Sequence, residues 1–203
     1  MNRLFARSTA VVALSAALGF AMTVNAAPLS TAPGQNKLLC FDGPSEGTIY
    51  GGTCTLTSQG PKGPAILDNT DGDPDGDYSG VYVLNSTLNG STIGDVKQLS
   101  FNYTGTPTAG SPRFSIPIDT DGGGATDFYA FVGAYYCNDG SGHVDAINDP
   151  TCTIFAGAES FPNWASMVAA HPDWTISQDF AFVIADDAGL WTVSNVKLGK
   201  GGK

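Results

Sequence analysis

A predicted hairpin between residues 111 and 137 constrains the fold of this chain more than any other stretch. Phe114, Ile116 and Ile118 alternate with residues of the opposite face, and a second apolar run covers residues 128–136 after an Asp/Gly turn. Alternation of period two around a turn is typical of antiparallel strands. The first strand has one apolar face and the second is apolar on both, as in a strand deep within a sheet. Further sheet must therefore pack against this pair.

The first 26 residues have the pattern of a secretory signal peptide. Arg3 and Arg7 supply the charged start, residues 9–24 form an apolar run, and residues 24–26 fit a small-residue cleavage site. The apolar run is short for a membrane anchor and ends at the cleavage site, which favours secretion over membrane insertion. We therefore expect a secreted protein, either extracellular or periplasmic.

The charge balance argues against two classes of partner. The chain has 9 basic and 19 acidic residues, a net charge of -10, and loss of a leader containing Arg3 and Arg7 makes the mature protein more acidic still. Such a protein is a poor match for the phosphates of nucleic acid or for an anionic membrane surface. Apart from Glu46 and Glu159 the acids are aspartates, which favour turns, so we expect the charge in loops between strands.

Four cysteines in an exported chain predict two disulfides. Pairing Cys40 with Cys54 and Cys137 with Cys152 closes two short local loops, whereas the other two connectivities cross the whole chain. The local pairing is favoured, although sequence alone leaves the connectivity open. A zinc site is the competing interpretation, but the chain has no CxxC pair and its two histidines lack ligand spacing with the cysteines.

The remaining pattern predicts many short strands and one helix. Strands are expected over residues 37–42, 48–57, 65–67, 80–84, 96–103, 151–156, 180–185 and 190–198, the first two as a pair and the last two as a closing hairpin. A helix is expected over residues 161–170, capped by Ser160, with Pro162 in its first turn and Pro172 after its end. Residues 138–150, which are rich in Asp, Gly and Asn, are predicted to form a loop.

These elements predict an all-β protein: a single antiparallel β-sandwich of jelly-roll type with one short α-helix. The expected organisation is a signal peptide over residues 1–26, a flexible lead-in over 27–36, the sandwich over 37–198 and a tail over 199–203. The strand SPRFSIPIDTDGGG, the segment FPNWASMVAAHPDW and the end FAFVIADDAGLWTVSNVKL resemble uncharacterised secreted bacterial β-sandwich proteins and, in outline, jelly-roll modules that bind carbohydrate. This resemblance covers about the last half of the mature chain and implies a binding role without assigning one.

An acidic loop is a candidate calcium site. Carboxylates stand at alternate positions of DGDPDGD, namely Asp71, Asp73, Asp75 and Asp77. Such spacing, with Gly76 at the turn, suits a loop that wraps oxygen ligands around calcium. The loop is not a complete EF-hand, because Tyr82 stands where a bidentate glutamate is needed. A solvated acidic loop is the alternative.

A second acidic segment, DTDGGGATD, contains Asp119, Asp121 and Asp127. Its three glycines can fold a loop around an ion, and they suit a hairpin turn with positive φ better.

Four side chains are candidate ligand-binding residues. Arg113 can hold a sugar hydroxyl or a carboxylate through its planar guanidinium, or it can pair with one of the many aspartates, which is the favoured interpretation. Tyr135, Tyr136 and Trp174 can stack on the apolar face of a sugar, or they can belong to an ordinary sandwich core.

These features predict a secreted, non-catalytic module that binds carbohydrate or another extracellular surface, with calcium stabilising a loop. A structural or adhesive surface protein without a small-ligand pocket is one alternative. A polysaccharide hydrolase or lyase is another, but no catalytic motif is present and the pairing of Glu46 with Glu159 cannot be argued from sequence. Exposed rings beside Arg113 on a concave surface would favour the binding module.

Overall fold

The structure is a computed structural model that describes residues 36–43, 51–58, 60–70, 77–137 and 141–200. The described residues form thirteen β-strands, one α-helix and a 3-10 helix, Ile93–Asp95. The strands are β1 Lys37–Gly43, β2 Thr53–Leu56, β3 Ala65–Asn69, β4 Tyr78–Leu84, β5 Gln98–Thr104, β6 Arg113–Asp119, β7 Phe128–Gly133, β8 His143–Asp145, β9 Ile154–Ala156, β10 Glu159–Phe161, β11 Thr175–Ile176, β12 Phe180–Ala185 and β13 Gly189–Gly199, and the α-helix α1 is Trp164–Ala170. The predicted signal peptide and most of the predicted lead-in lie outside the described residues.

The strands form two antiparallel sheets, as the sequence predicts. The first sheet has the order β1-β4-β12-β6-β7-β9-β10, with β11 also paired to β6, and the second has the order β2-β3-β13-β5-β8. Apolar side chains from both sheets fill the core between them, where the ring centroids of Phe101 and Phe114 lie 5.1 Å apart. The all-β sandwich with one short helix is therefore confirmed.

The predicted hairpin is the pair β6 and β7. Its register places Phe114 opposite Val132 and Ile116 opposite Ala130, and all four side chains are buried. These inward residues alternate with Arg113 and others on the outer face. The alternation seen in the sequence thus reports the two faces of this sheet correctly.

The first two strands do not pair with each other, which corrects the sequence prediction. Strand β1 pairs with β4 in the first sheet, and β2 pairs with β3 in the second. The predicted disulfide between Cys40 and Cys54 is present and therefore joins the two sheets. The second predicted disulfide, between Cys137 and Cys152, is also present, and no cysteine of the chain is free.

The last two strands also belong to different sheets, so the predicted closing hairpin is wrong. Strand β12 lies in the first sheet and β13 in the second. Asn69 holds the connection between them: its Nδ2 donates to the carbonyls of Ala185 at 2.9 Å and Asp187 at 3.1 Å, and its Oδ1 accepts from the Ser79 hydroxyl at 2.7 Å. A buried amide with all these partners fixes the crossover.

The helix begins three residues later than predicted. Residues 159–161 pair with β9 as strand β10, so Ser160 cannot cap the helix. Asn163 caps it instead, because its side chain accepts from the backbone N–H of Ser166 at 2.9 Å. Within the described residues no helix is long and apolar enough to cross a membrane.

Candidate ligand-binding face

The outer face of the first sheet carries an unusual number of aromatic rings. Alternation along each strand buries one set of side chains in the core and directs the other outward. The outward rings are partly exposed: Phe41, Tyr78, Tyr82, Phe180, Phe182, Tyr129, Phe131 and Phe155. A sheet face that points to solvent is usually polar, so these rings mark it as a candidate binding surface.

The strand registers align six of the outward residues across the sheet. The aromatic row, as we name it, consists in order of Leu39, Tyr82, Phe182, Ser115, Phe131 and Phe155. Each member is the direct cross-strand partner of the next. With neighbouring strands about 4.8 Å apart, the row spans roughly 24 Å from β1 to β9. Ser115 is its only small residue and is buried between Phe182 and Phe131.

The rings on the β1 side of the row pack in tilted and edge-to-face contacts. Tyr82 and Phe182 have centroids 4.9 Å apart, and Tyr129 lies 5.7 Å from Phe182. Interplanar angles in this group run from 42° to 85°. Such contacts stabilise the arrangement of the rings before any ligand arrives. The face is thus preorganised, but its rings are tilted and not coplanar.

Phe41 extends this ring layer because Gly80 lies directly beneath it. A Cβ at Gly80 would lie 2.5 Å from Cζ of Phe41 and 2.7 Å from a backbone oxygen, closer than atoms can approach. The missing side chain lets the Phe41 ring contact Tyr82 at 4.9 Å and Phe182 at 5.4 Å. Glycine at this position is therefore needed for a close approach.

The other end of the row borders a small cavity of about 220 Å³. Its lining includes the rings of Phe131, Tyr136 and Phe155 together with Arg113. The structure thus brings together Arg113 and Tyr136, two of the predicted ligand-binding residues, beside partly exposed rings. No carboxylate is among the described residues that line the cavity.

Arg113 is held firmly in place. Its Nη2 donates to Oδ2 of Asp186 at 2.6 Å, while its Nη1 donates to the other carboxylate oxygen and to the carbonyl of Gly110. The guanidinium carbon lies 5.0 Å from the ring centroid of Phe131. The favoured interpretation, pairing with an aspartate, is therefore confirmed, and the charge of Arg113 is largely balanced by Asp186.

The remaining aromatic candidates lie in different surroundings. Tyr135 is 53% exposed and contacts Tyr136 with centroids 5.0 Å apart, so it lies next to the cavity. Trp174 is buried, stacked on His171 at 3.7 Å and in edge contact with Phe128 at 5.1 Å. The structure does not bring Trp174 to the cavity.

The acidic segment between β6 and β7 is a self-contained turn. Asp119 accepts backbone N–H groups from Gly122 at 2.8 Å and Gly124 at 2.7 Å, and Asp127 accepts from Thr120 at 2.8 Å. The N–H of Gly124, helped by other backbone donors of the turn, lowers the pKa of the Asp119 carboxyl although burial opposes this. Carboxylate oxygens of Asp119, Asp121 and Asp127 lie within 4.8 Å of one another and could hold a metal ion.

Most of the predicted calcium loop lies outside the described residues. Asp71, Asp73 and Asp75 lie outside the described residues, and Asp77 is buried directly before β4. Calcium in this loop stays a prediction. Glu46 also lies outside the described residues, whereas Glu159 is the first residue of β10.

A tyrosine within the ring layer has a shifted pKa. Burial raises the pKa of the Tyr129 hydroxyl above its ordinary value of 10.0, and electrostatic repulsion from Tyr82 adds to the effect.

The sequence analysis missed the aromatic row. Its signal was present, because Phe180, Phe182 and Ile184 alternate with inward residues, as do Leu39 and Phe41. A strand that is apolar on both faces is typical of the interior of a sheet, so the sequence alone does not indicate that these rings face solvent.

Comparisons of the chain with family models, with curated proteins and with solved structures find no match.

Proposed function

We propose that this protein is a secreted, non-catalytic module that binds a carbohydrate chain on the outer face of the first sheet. The observation that carries the proposal is the aromatic row ending at a cavity that combines three rings with Arg113. A sugar has apolar C–H faces and polar edges, so it suits a surface where rings adjoin hydrogen-bonding groups. Two disulfides are compatible with an oxidising, extracytoplasmic location.

The preferred ligand is uncharged. The charge of Arg113 is balanced by Asp186, and the row itself has no charged member. An acidic chain would meet a protein whose overall charge is -10. A neutral chain avoids that repulsion and can displace water from the rings.

The length of the row favours a chain of several sugar units. A single sugar fills the small cavity beside Phe155, whereas rings from β1 to β9 extend over roughly 24 Å. Affinity is therefore expected to rise with oligosaccharide length.

Adhesion to an apolar extracellular surface is the second candidate. It is favoured by the tilt of the rings, because edge-to-face packing leaves fewer flat faces for sugar stacking. In that case the whole ring layer acts as one apolar patch, and the cavity beside Arg113 has no separate role.

A binding screen separates these candidates. The mature protein is applied to a glycan array and to insoluble polysaccharides, with calcium and with chelator, alongside Phe182→Ala and Leu190→Ala. Leu190 is 53% exposed on the second sheet and serves as the matched control. Retention on a defined neutral glycan, lost in Phe182→Ala but kept in Leu190→Ala, supports the proposal. Retention only on apolar surfaces supports adhesion, and release of sugar supports the hydrolase or lyase alternative.

A further inference from the structure

A hollow lies on the second sheet, away from the aromatic row. It has a volume of about 540 Å³, within the range of small-molecule sites. It lies between the β2–β3 loop, the start of β5 and the outer side of β13. Its lining residues are Asn36, Ser58, Gly60, Pro61, Lys62, Gly63, Gln98, Asn195, Val196 and Lys197.

A β-bulge shapes one wall of this hollow. The pairing of β13 with β5 shifts between Ser194 and Lys197, and Asn195 adopts a φ of 51°. That left-handed conformation is uncommon for a residue other than glycine. The bulge places both Asn195 and Lys197 on the outer side, exposed, while Val196 stays buried. Bulges of this kind often redirect side chains toward a functional site.

Hydrogen bonds hold the other walls in place. The backbone N–H of Val196 donates to the carbonyl of Pro61 at 2.9 Å, which fastens the β2–β3 loop to the bulge. Asn36 donates to the carbonyl of Val196 at 3.2 Å and accepts from Asn85 at 3.0 Å. The hollow is therefore formed before any ligand binds.

Its charge contrasts with that of the whole protein. Lys62 and Lys197 both line it, whereas none of its described lining residues is acidic. The ion pairs of the described residues are Arg113 with Asp186 and His171 with Glu159, so neither lysine takes part in one. An anion bound in the hollow would be attracted by the ammonium groups of both lysines.

We infer that this hollow is a second binding site, which takes an oxyanion group, a carboxylate or sulfate, carried by an acidic sugar. The two lysines bind the anionic group, and the exposed amides of Gln98 and Asn195 are available to hydroxyl groups. A bare inorganic ion would leave most of the volume unfilled. The site differs from the proposed carbohydrate face in its sheet, in its lack of rings and in the charge of its ligand, so either can fail without the other.

Isothermal titration calorimetry tests this inference on the mature protein at constant ionic strength. The probes are a sulfated oligosaccharide, a uronic acid oligosaccharide, the unsulfated parent sugar and inorganic sulfate. The variants are Lys62→Gln and Lys197→Gln, with Lys97→Gln as control. Lys97 lies outside the hollow and donates to the carbonyl of Gly94. Its replacement by glutamine makes the same change in net charge as the two hollow variants.

We expect an acidic oligosaccharide to bind and each hollow variant to weaken it by about tenfold, the loss typical of one charge-assisted hydrogen bond. The control variant should change the dissociation constant by less than about twofold. Tighter binding of the acidic oligosaccharide than of inorganic sulfate supports an acidic sugar as ligand, and equal binding supports the anion site with a free anion as ligand. Absence of binding to every anionic probe, or equal weakening by Lys97→Gln, overturns the inference.

Discussion

Asp186 holds the guanidinium of Arg113 against the ring of Phe131, so an ion pair fixes one end of the candidate binding face. Both nitrogens of the guanidinium fork donate to the carboxylate, and its carbon lies 5.0 Å from the ring centroid. Asp186 follows β12 directly, at the crossover to the second sheet. The same pair therefore supports the fold and positions the cavity wall.

Replacement of Arg113 by lysine should lower the stability of the fold and loosen the wall of the cavity. Lysine keeps the charge but cannot make the paired contacts of the fork or stack on Phe131. We expect a loss of about 1 kcal/mol in the free energy of unfolding, because the pair is partly exposed. Urea unfolding measures it, with Lys62→Arg as the reverse exchange at an exposed position. An unchanged unfolding midpoint in Arg113→Lys would show that the pair is not structural.

Removal of the disulfide between Cys40 and Cys54 should be costly, because it joins the two sheets. Its loop closes over a sequence separation of 14 residues, for which the chain-entropy estimate is about 3 kcal/mol. The double variant Cys40→Ser/Cys54→Ser should unfold at correspondingly lower urea concentration. Mass spectrometry of the native protein after thiol alkylation provides the check on pairing. Any alkylated cysteine in the folded wild type would contradict this account.

The acidic turn should make stability depend on pH. The folded pKa of Asp119 is lowered, so its contribution is fully present above the unfolded value near 3.8 and is lost as pH falls through the folded pKa. Asp119→Asn should therefore be less stable at pH 7 and should lose less stability on acidification. Thermal unfolding between pH 2 and 7 tests this, with the exposed Asp95→Asn as control. Parallel curves for wild type and Asp119→Asn would refute it.

Tyr129 should make the stability of the protein fall as the pH rises in the alkaline range. Its folded pKa is raised, so the contribution is complete below the unfolded pKa and is lost as pH rises through the folded value. Ultraviolet difference titration should show a late tyrosine transition, and Tyr129→Phe should reduce its amplitude by one tyrosine. If Tyr129→Phe leaves it intact, the assignment is wrong.

Local patterns explain why part of this fold follows from sequence. The alternation of Phe114, Ile116 and Ile118 fixes which face of β6 is buried, and the turn after it fixes its partner. The short separations of the cysteines likewise favoured the pairing that the structure contains. Both arguments use residues that are near in sequence.

The wrong strand pairings, the wrong helix start and the unpredicted aromatic row have a different cause. Strands β1 and β2 are consecutive in the chain but belong to different sheets, and so do β12 and β13. The sheet that each strand joins depends on its contacts with strands distant in sequence. The helix starts at Trp164 and not at Phe161, because residues 159–161 pair with β9. The aromatic row requires the register of five strand pairs, which no single stretch of sequence encodes. A candidate site built from such a row becomes visible only in the folded sheet.

The most direct test of the carbohydrate proposal is NMR mapping of the binding surface. Labelled protein without the predicted signal peptide is titrated with the neutral oligosaccharide retained in the binding screen, and ring and amide shifts are followed. We expect the shifts to follow the aromatic row, with Phe182, Phe131 and Phe155 among the residues most affected. Shifts confined to the second sheet, or to a surface without these rings, would contradict the proposed function.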